Sequence, residues 1–250
     1  TKRKLSPGTN GRTGTGSRRL NGGEKAKNSG TLTCHWEDRL IPNPIRKVLS
    51  SMQKSRVRAL LMGGQACVFY GAAEFSRDTD FAVLADPGNL KRLRSALETL
   101  QARNIAVPPF ELKYLKRGHA VHFRCGHPEA MNIRVDIMSK MRGVRPFPTL
   151  WKSRTTLELP DGTVGELLSL TDLVQAKKTQ RDKDWPMIRR LLEAHYFQHR
   201  SEGSPAQFRF WLRELRTPSL LIEAGRSHTT LCRSLQSKRP LLSGALSVLD

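Results

Sequence analysis

Three aspartates and a pair of glycines are the residues of this chain best spaced to do chemistry. Gly63 and Gly64 close an apolar run at 57–62 and open a stretch, Gln65 to Ala72, with the look of a helix start. Asp78 and Asp80 follow, one residue apart, at the head of another apolar run, and Asp136 sits in a third, at 131–139. Acids at i and i+2 of a strand share a face, and a bound cation is the commonest reason for holding two like charges together. A strand that ends in glycines and leads into a helix presents backbone N–H groups at the helix N-terminus, which attracts phosphate, and glycine lets phosphate oxygens come close. Three carboxylates beside such a turn describe a divalent-metal site that holds a nucleoside triphosphate. Each residue also has an ordinary structural use when taken singly. Asp78 could cap a turn, Asp80 could pair with Arg77, Asp136 could pair with a buried arginine, and paired glycines often serve only the turn.

The elements that would position these residues follow from periodicity. Ile45, Val48, Leu49 and Met52 form one stripe of a helix at 44–54, and a strand follows at 57–62. A second strand covers 79–85, then an amphipathic helix covers 89–104 with Leu90, Leu93, Leu97 and Leu100 inward. Shorter strands are predicted at 110–116, 119–125 and 131–139. In the last, Ile133, Val135 and Ile137 face one way, with Arg134, Asp136 and Met138 opposite. Residues 156–167 read as a hairpin with Asp161-Gly162 at its turn. From Leu170 onward the pattern is helical, and Leu170, Leu173, Val174, Lys177, Arg181, Ile188 and Leu191 approximate one stripe. Pro186 suggests a helix restart there, with Asp184 as its cap. Residues 204–225 read as a helical region whose stripe of Phe208, Trp211, Leu212 and Leu215 packs on the core. The fold class is therefore α+β: a mixed sheet with flanking helices, followed by a helical C-terminal part. The expected organisation is a basic, disordered segment at 1–30, a core at 40–168 and a helical region at 169–250.

The charge narrows the partners. Among 250 residues, 43 are Lys or Arg and 22 are Asp or Glu, for a net charge of +21. Such a field attracts polyanions, nucleic acid above all. Residues 1–30 hold eight Lys or Arg against one acid and almost no large apolar groups, so they cannot bury enough surface to offset their ordering entropy. No apolar run is long enough to span a membrane, and no apolar stretch follows the basic N-terminal residues as in a secretory signal. The four cysteines, Cys34, Cys67, Cys125 and Cys232, are scattered without CxxC spacing. That fits reduced thiols in a cytoplasmic protein better than a disulfide framework. Cys34-His35 and the Cys125/His127 pair lack the flanking ligands of a zinc site.

The pattern Gly63-Gly64, then Asp78-Thr79-Asp80, then Asp136 on a later strand resembles the nucleotidyltransferase superfamily of the DNA polymerase β type. The wording "GGQA…YG…SRDTDFAV" looks most like its small bacterial group related to AbiEii and MenT toxins, and the resemblance covers about residues 57–192. It implies a nucleotidyltransferase-type sheet and two Mg²⁺ ions, with Mn²⁺ as a substitute, on Asp78, Asp80 and Asp136. It implies nucleotide contacts from Gly63, Gly64, Gln65, Arg77, Lys177 and Arg181, with Lys177 meeting the triphosphate. The superfamily often has a phosphate-gripping serine after the first glycine, and Gly64 stands in its place.

The function so implied is transfer of a nucleoside monophosphate from a nucleoside triphosphate to a hydroxyl. Positive charge favours tRNA or another RNA as acceptor and disfavours polycationic aminoglycosides. A protein hydroxyl is a further candidate acceptor. Membership of a toxin–antitoxin pair, with an acidic antitoxin as partner, is a related expectation. The alternative is a non-catalytic nucleic-acid-binding module on the same fold.

Overall fold

The computed structural model describes residues 31–33, 43–73, 75–178, 181–182 and 184–247. The basic segment 1–30 and Cys34 lie outside the described residues.

The architecture is α+β, built on one mixed sheet of eight strands with helices packed against it. The strands are β1 (Thr31–Thr33), β2 (Ala59–Met62), β3 (Asp78–Val83), β4 (Arg103–Asn104), β5 (Val121–Arg124), β6 (Arg134–Met138), β7 (Thr155–Glu158) and β8 (Val164–Leu167). Their order in the sheet is β1-β7-β8-β2-β3-β6-β5-β4. At its centre β2 pairs antiparallel with β3, β3 parallel with β6, and β6 antiparallel with β5. All four residues of β2 are buried, as expected of a central strand covered on both faces.

Helix α1 (Asn43–Lys54) lies on one face of this sheet, and its expected stripe of Ile45, Val48, Leu49 and Met52 is buried. Leu49 rests against Gly165 of β8, where a β-carbon would meet its methyls at 3.4 Å. Helix α3 (Pro87–Thr99) starts on Asp86, whose side chain accepts from the Asn89 N–H, with Pro87 in the first turn. Asn89 is itself fully buried. It accepts from the Arg58 N–H at 2.8 Å and donates to the Arg58 and Leu84 carbonyls at 3.0 and 2.9 Å. One amide thus fastens α3 to the residues flanking β2 and β3. Leu90, Leu93, Leu97 and Leu100 point inward as expected, but α3 stops at Thr99 and the chain enters β4.

Other expectations change. Residues 110–116 form no strand; α4 (Leu112–Arg117) is there instead. The alternation of that stretch also fits a helix turn, since Leu112 and Leu115 lie at i and i+3, and Leu115 is buried. Gly118, at φ +94°, then ends the helix in the left-handed conformation. The 156–167 hairpin is present with Thr155 opposite Leu167. Asp161-Gly162 lies in a loop closed by the Leu159 N–H on the Thr163 carbonyl at 2.9 Å, longer than a two-residue turn.

After α5 (Phe147–Lys152) and the hairpin, the chain is helical: α6 (Leu170–Lys177), α7 (Asp184–His199), α8 (Pro205–Glu214), α9 (Pro218–Ser227), α10 (Thr229–Leu235) and α11 (Leu241–Ser247). The single stripe from Leu170 to Leu191 is two helices, because α6 ends at Lys177. Arg181 therefore lies between helices, not on a helical face. The 204–225 region is likewise two helices, α8 and α9, and Trp211, Leu212 and Leu215 are buried in the interior. Among the described residues no helix is long and apolar enough to cross a membrane.

Candidate functional site

Register brings the acids together. In β3 and β6 the residues opposite one another are Asp78 with Arg134 and Asp80 with Asp136. On the next strand His122 lies opposite Asp136, and on the other side Met62 lies opposite Asp80. Residues paired in register share a face, so Asp78, Asp80, Arg134, Asp136 and His122 crowd one face of the sheet. Thr79 and Val135 alternate to the other face, where both are fully buried. The Thr79 hydroxyl has no hydrogen-bond partner there.

Helix α2 (Gly63–Phe69) leaves β2 without any loop. Gly63 makes the bend at φ +67°, a conformation that other residues rarely adopt. The bend is tight against Asp80: a β-carbon at 63 would stand 1.9 Å from its Oδ2. At Gly64 a β-carbon would stand 2.6 Å from the Ser76 Oγ. The space that a serine side chain would fill at 64 is thus held by Ser76, whose hydroxyl donates to the Asp78 carbonyl at 3.0 Å. Gln65 is buried in the first turn of α2 and is not presented to solvent. Arg77 is exposed in the segment before β3, and Phe75 beside it is 68% exposed.

The electrostatics of the pocket follow from this crowding. Burial, then the charges of Asp136 and Asp78, push the Asp80 carboxyl up to about 6, while Lys177 and Arg134 act the other way. Asp136 is nearly buried, and its Oδ1 is 2.8 Å from both Arg134 Nε and His122 Nδ1. Arg134 also approaches His122, Nη2 to Nδ1, at 3.1 Å. Its hydrogen bond to Asp136, and the charges of Asp136, Asp78 and Asp80, hold the Arg134 guanidinium above its ordinary value. Among the described residues no three His, Cys, Asp or Glu side chains gather closely enough to hold a metal ion. The acids form a cross-strand pair, Asp80 and Asp136, with Asp78 offset beside Arg134.

Lys177, at the end of α6, turns inward with a 12% exposed side chain and lies 3.5 Å from Asp184 Oδ1. Arg181 Nε meets the other oxygen of Asp184 at 2.8 Å but is largely exposed. Asp184 is therefore the buried anchor of two cations at the start of α7. Cys67 of α2 lies near the same charges: burial pushes its thiol up to about 11, Lys177 opposes the shift, and Asp184 and Asp80 add to it. Its sulfur donates to the Gly63 carbonyl at 3.1 Å, bracing the bend from below.

The structure thus brings Gly63, Gly64, Asp78, Asp80, Asp136 and Lys177 to one locality and leaves Gln65 facing inward. Arg134, His122 and Ser76 join this site without a motif that singles them out in the sequence. The one available signal is for His122, whose parity in 119–125 puts it beside Asp136 once that strand pairs antiparallel with 131–139. Neither a scan against protein-family models nor a comparison with curated proteins gave a match.

Proposed function

We propose that the chain is a Mg²⁺-dependent nucleotidyltransferase that moves a nucleoside monophosphate from a nucleoside triphosphate to a hydroxyl acceptor. The observation that carries the reading is the Asp80 carboxylate, packed onto the Gly63 bend and facing Asp136 across the strands. Burial first, and then the charges of Asp136 and Asp78, disfavour its ionised form, and Lys177 and Arg134 offset this only in part. A divalent cation meets that need, and Mg²⁺ is commonly held by one or two carboxylates, with water and substrate phosphates completing its shell. Asp80 and Asp136 face one another as such a pair, with Asp78 offset beside Arg134; two ions on the three acids, with Mn²⁺ as a substitute, follow from the resemblance alone. When bound, the metal neutralises charge on the attacking and leaving oxygens.

The chain's own residues divide the remaining work. Gly63 and Gly64 leave backbone open to phosphate oxygens at the start of α2. The Ser76 hydroxyl lies where a residue-64 side chain would be, and to grip a phosphate oxygen in place of Gly64 it would turn its proton away from the Asp78 carbonyl. Lys177 and Arg181 counter the triphosphate charge, and exposed Arg77 adds to them from the loop before β3. Asp136 is steadied at Oδ1 by Arg134 and His122. Its Oδ2 draws off the proton of the acceptor hydroxyl as that oxygen bonds to the α-phosphorus and pyrophosphate departs. Net positive charge favours an RNA acceptor, tRNA included, and an acidic antitoxin is a fitting partner if the chain works as a toxin.

A second reading has its own observation. Asp136 is already paired with Arg134, and no three-ligand group is gathered among the described residues. That arrangement suits a nucleic-acid-binding module without catalysis. Purified protein, Mg²⁺, total tRNA and each α-labelled nucleoside triphosphate in turn separate the two. Label that moves to RNA and is lost in Asp80→Ala supports the enzyme. RNA binding with no label on RNA or protein supports the module.

A further inference from the structure

Trp185 is the largest aromatic side chain on the described surface near the site, and it is 40% exposed. It follows Asp184 at the start of α7, so it sits beside the buried carboxylate that holds Lys177 and Arg181. The Arg216 guanidinium, from the turn between α8 and α9, lies over its ring at 4.7 Å. Arg189 is one helical turn further along α7, on the same side of the helix, and its only described pairing is a solvated contact with Glu193 at 3.5 Å. Lys178, at the end of α6, is tied to Glu214 of α8 at 2.7 Å, which fixes the chain leading into Arg216. Lys177 and Arg181, both held by Asp184, therefore stand where the helix carrying Trp185 begins, and Arg216 lies over the indole with Arg189 one turn along.

We infer that this indole and its arginines form a docking platform for a single-stranded nucleic acid, one base stacking on the Trp185 face opposite Arg216 while Arg216, Arg189 and Arg181 contact the flanking phosphates. An aromatic ring accepts any base by its π-face, and cations along the strand supply the sequence-independent attraction. Charge complementarity selects this occupant over a protein helix. The platform is a polar, arginine-edged ring on a chain of net charge +21, not an apolar groove. The inference rests on the reading of the carboxylate site as one that acts on a nucleic-acid hydroxyl, and it names how that substrate's strand is held.

The test uses the full chain carrying Asp80→Asn, so that nothing turns over during binding. A fluorescently labelled 12-nucleotide RNA, the DNA of the same sequence, and the corresponding duplex are titrated by anisotropy at two salt concentrations. Trp185→Ala should weaken single-strand binding about tenfold, as expected for the loss of one stacked base, with little change in salt dependence. Trp185→Phe should stay within about threefold of the parent, because it keeps a stacking ring. Arg216→Ala should lower the salt slope by about one counterion. Equal affinity of the parent for RNA and DNA supports the platform as a general single-strand site, and preference for RNA supports it and identifies the strand. Unchanged affinity in Trp185→Ala, or preference for the duplex, overturns it. Trp185→Phe controls for folding, since a loss there equal to that of Trp185→Ala, without a change in thermal midpoint, also overturns the stacking role. Failure of nucleotide transfer with Trp185-dependent strand binding intact sinks the enzyme reading and spares the platform. Transfer to RNA with strand binding indifferent to Trp185 does the reverse.

Discussion

The Asp80 carboxylate fills the space above the Gly63 α-carbon, with Oδ2 lying 1.9 Å from where a β-carbon at 63 would be. The bend and the acid are thus one fitted unit. Gly63→Ala should destabilise the fold by about 2 kcal/mol or more, through backbone strain and collision together, and should abolish transfer. Gly71→Ala is the matched control, because Gly71 has a similar φ of +74° but nothing within 4 Å of the added carbon. It should cost only the strain of about 1 kcal/mol and leave transfer near normal. Urea unfolding and the labelled-nucleotide assay read both effects.

Asp80 should make stability fall with rising pH. Burial, with Asp136 and Asp78 nearby, raises its folded pKa to about 6, against roughly 4 in the unfolded chain. Folding then favours the protonated form. Its contribution is complete below about pH 4 and lost as pH rises through about 6. Asp80→Asn, which never acquires the charge, should exceed the parent in stability at pH 8 by about 2 kcal/mol and match it near pH 3.5. Added Mg²⁺ should raise the thermal midpoint of the parent at pH 8 but not that of Asp80→Asn. A stability gap that persists on acidification would refute the assignment of the shift to Asp80.

Thr79 lies between the two site acids but faces the core with an unpartnered hydroxyl. Thr79→Val should therefore stabilise the protein, by about 1 kcal/mol, since it removes a buried polar group that makes no hydrogen bond. Nucleotide transfer should be unchanged, because Asp78 and Asp80 point to the opposite face. Loss of stability on this substitution would show that the hydroxyl is satisfied in solution.

Asn89 should behave in the opposite way. Asn89→Leu strands the Arg58 N–H and the Leu84 carbonyl that the amide now serves, while the Arg58 carbonyl keeps the Leu84 N–H at 3.2 Å. The expected cost is about 3 kcal/mol in unfolding free energy, and Asn89→Asp should keep the bonds from the Arg58 N–H and the Arg92 guanidinium but not those to the carbonyls.

Much of this arrangement is legible in local pattern. The parity of Arg134, Asp136 and Met138 against Val135 and Ile137 gives the correct face of β6, and the glycine pair marks the bend into α2. The inward leucines of α3 follow directly from their spacing. What local pattern misses is set by distant partners. Residues 110–116 fit either period, and burial of Leu115 beneath the sheet decides for the helix. The break within the stripe from Leu170 to Leu191 is signalled by Pro186, and α7 does begin at Asp184, but the pairing of Lys177 and Arg181 with that carboxylate has no local signal. Arg134 and Ser76 have no motif of their own. Their importance comes from lying across from Asp78 and against Gly64.

The parallel pairing of β3 with β6 has a consequence for how the protein comes into being. Asp80 and Asp136 stand side by side although 56 residues separate them in the chain. Parallel neighbours so far apart close a large loop before any contact rewards it, so such pairings form slowly. The antiparallel β2–β3 pair, whose strands are joined by α2 and a short loop, has no such delay. A chain emerging during synthesis therefore acquires its glycine bend and first acids early but lacks their partner until β6 docks. Any activity that depends on the Asp80–Asp136 pair is withheld from nascent and half-folded forms and arrives only when β6 docks.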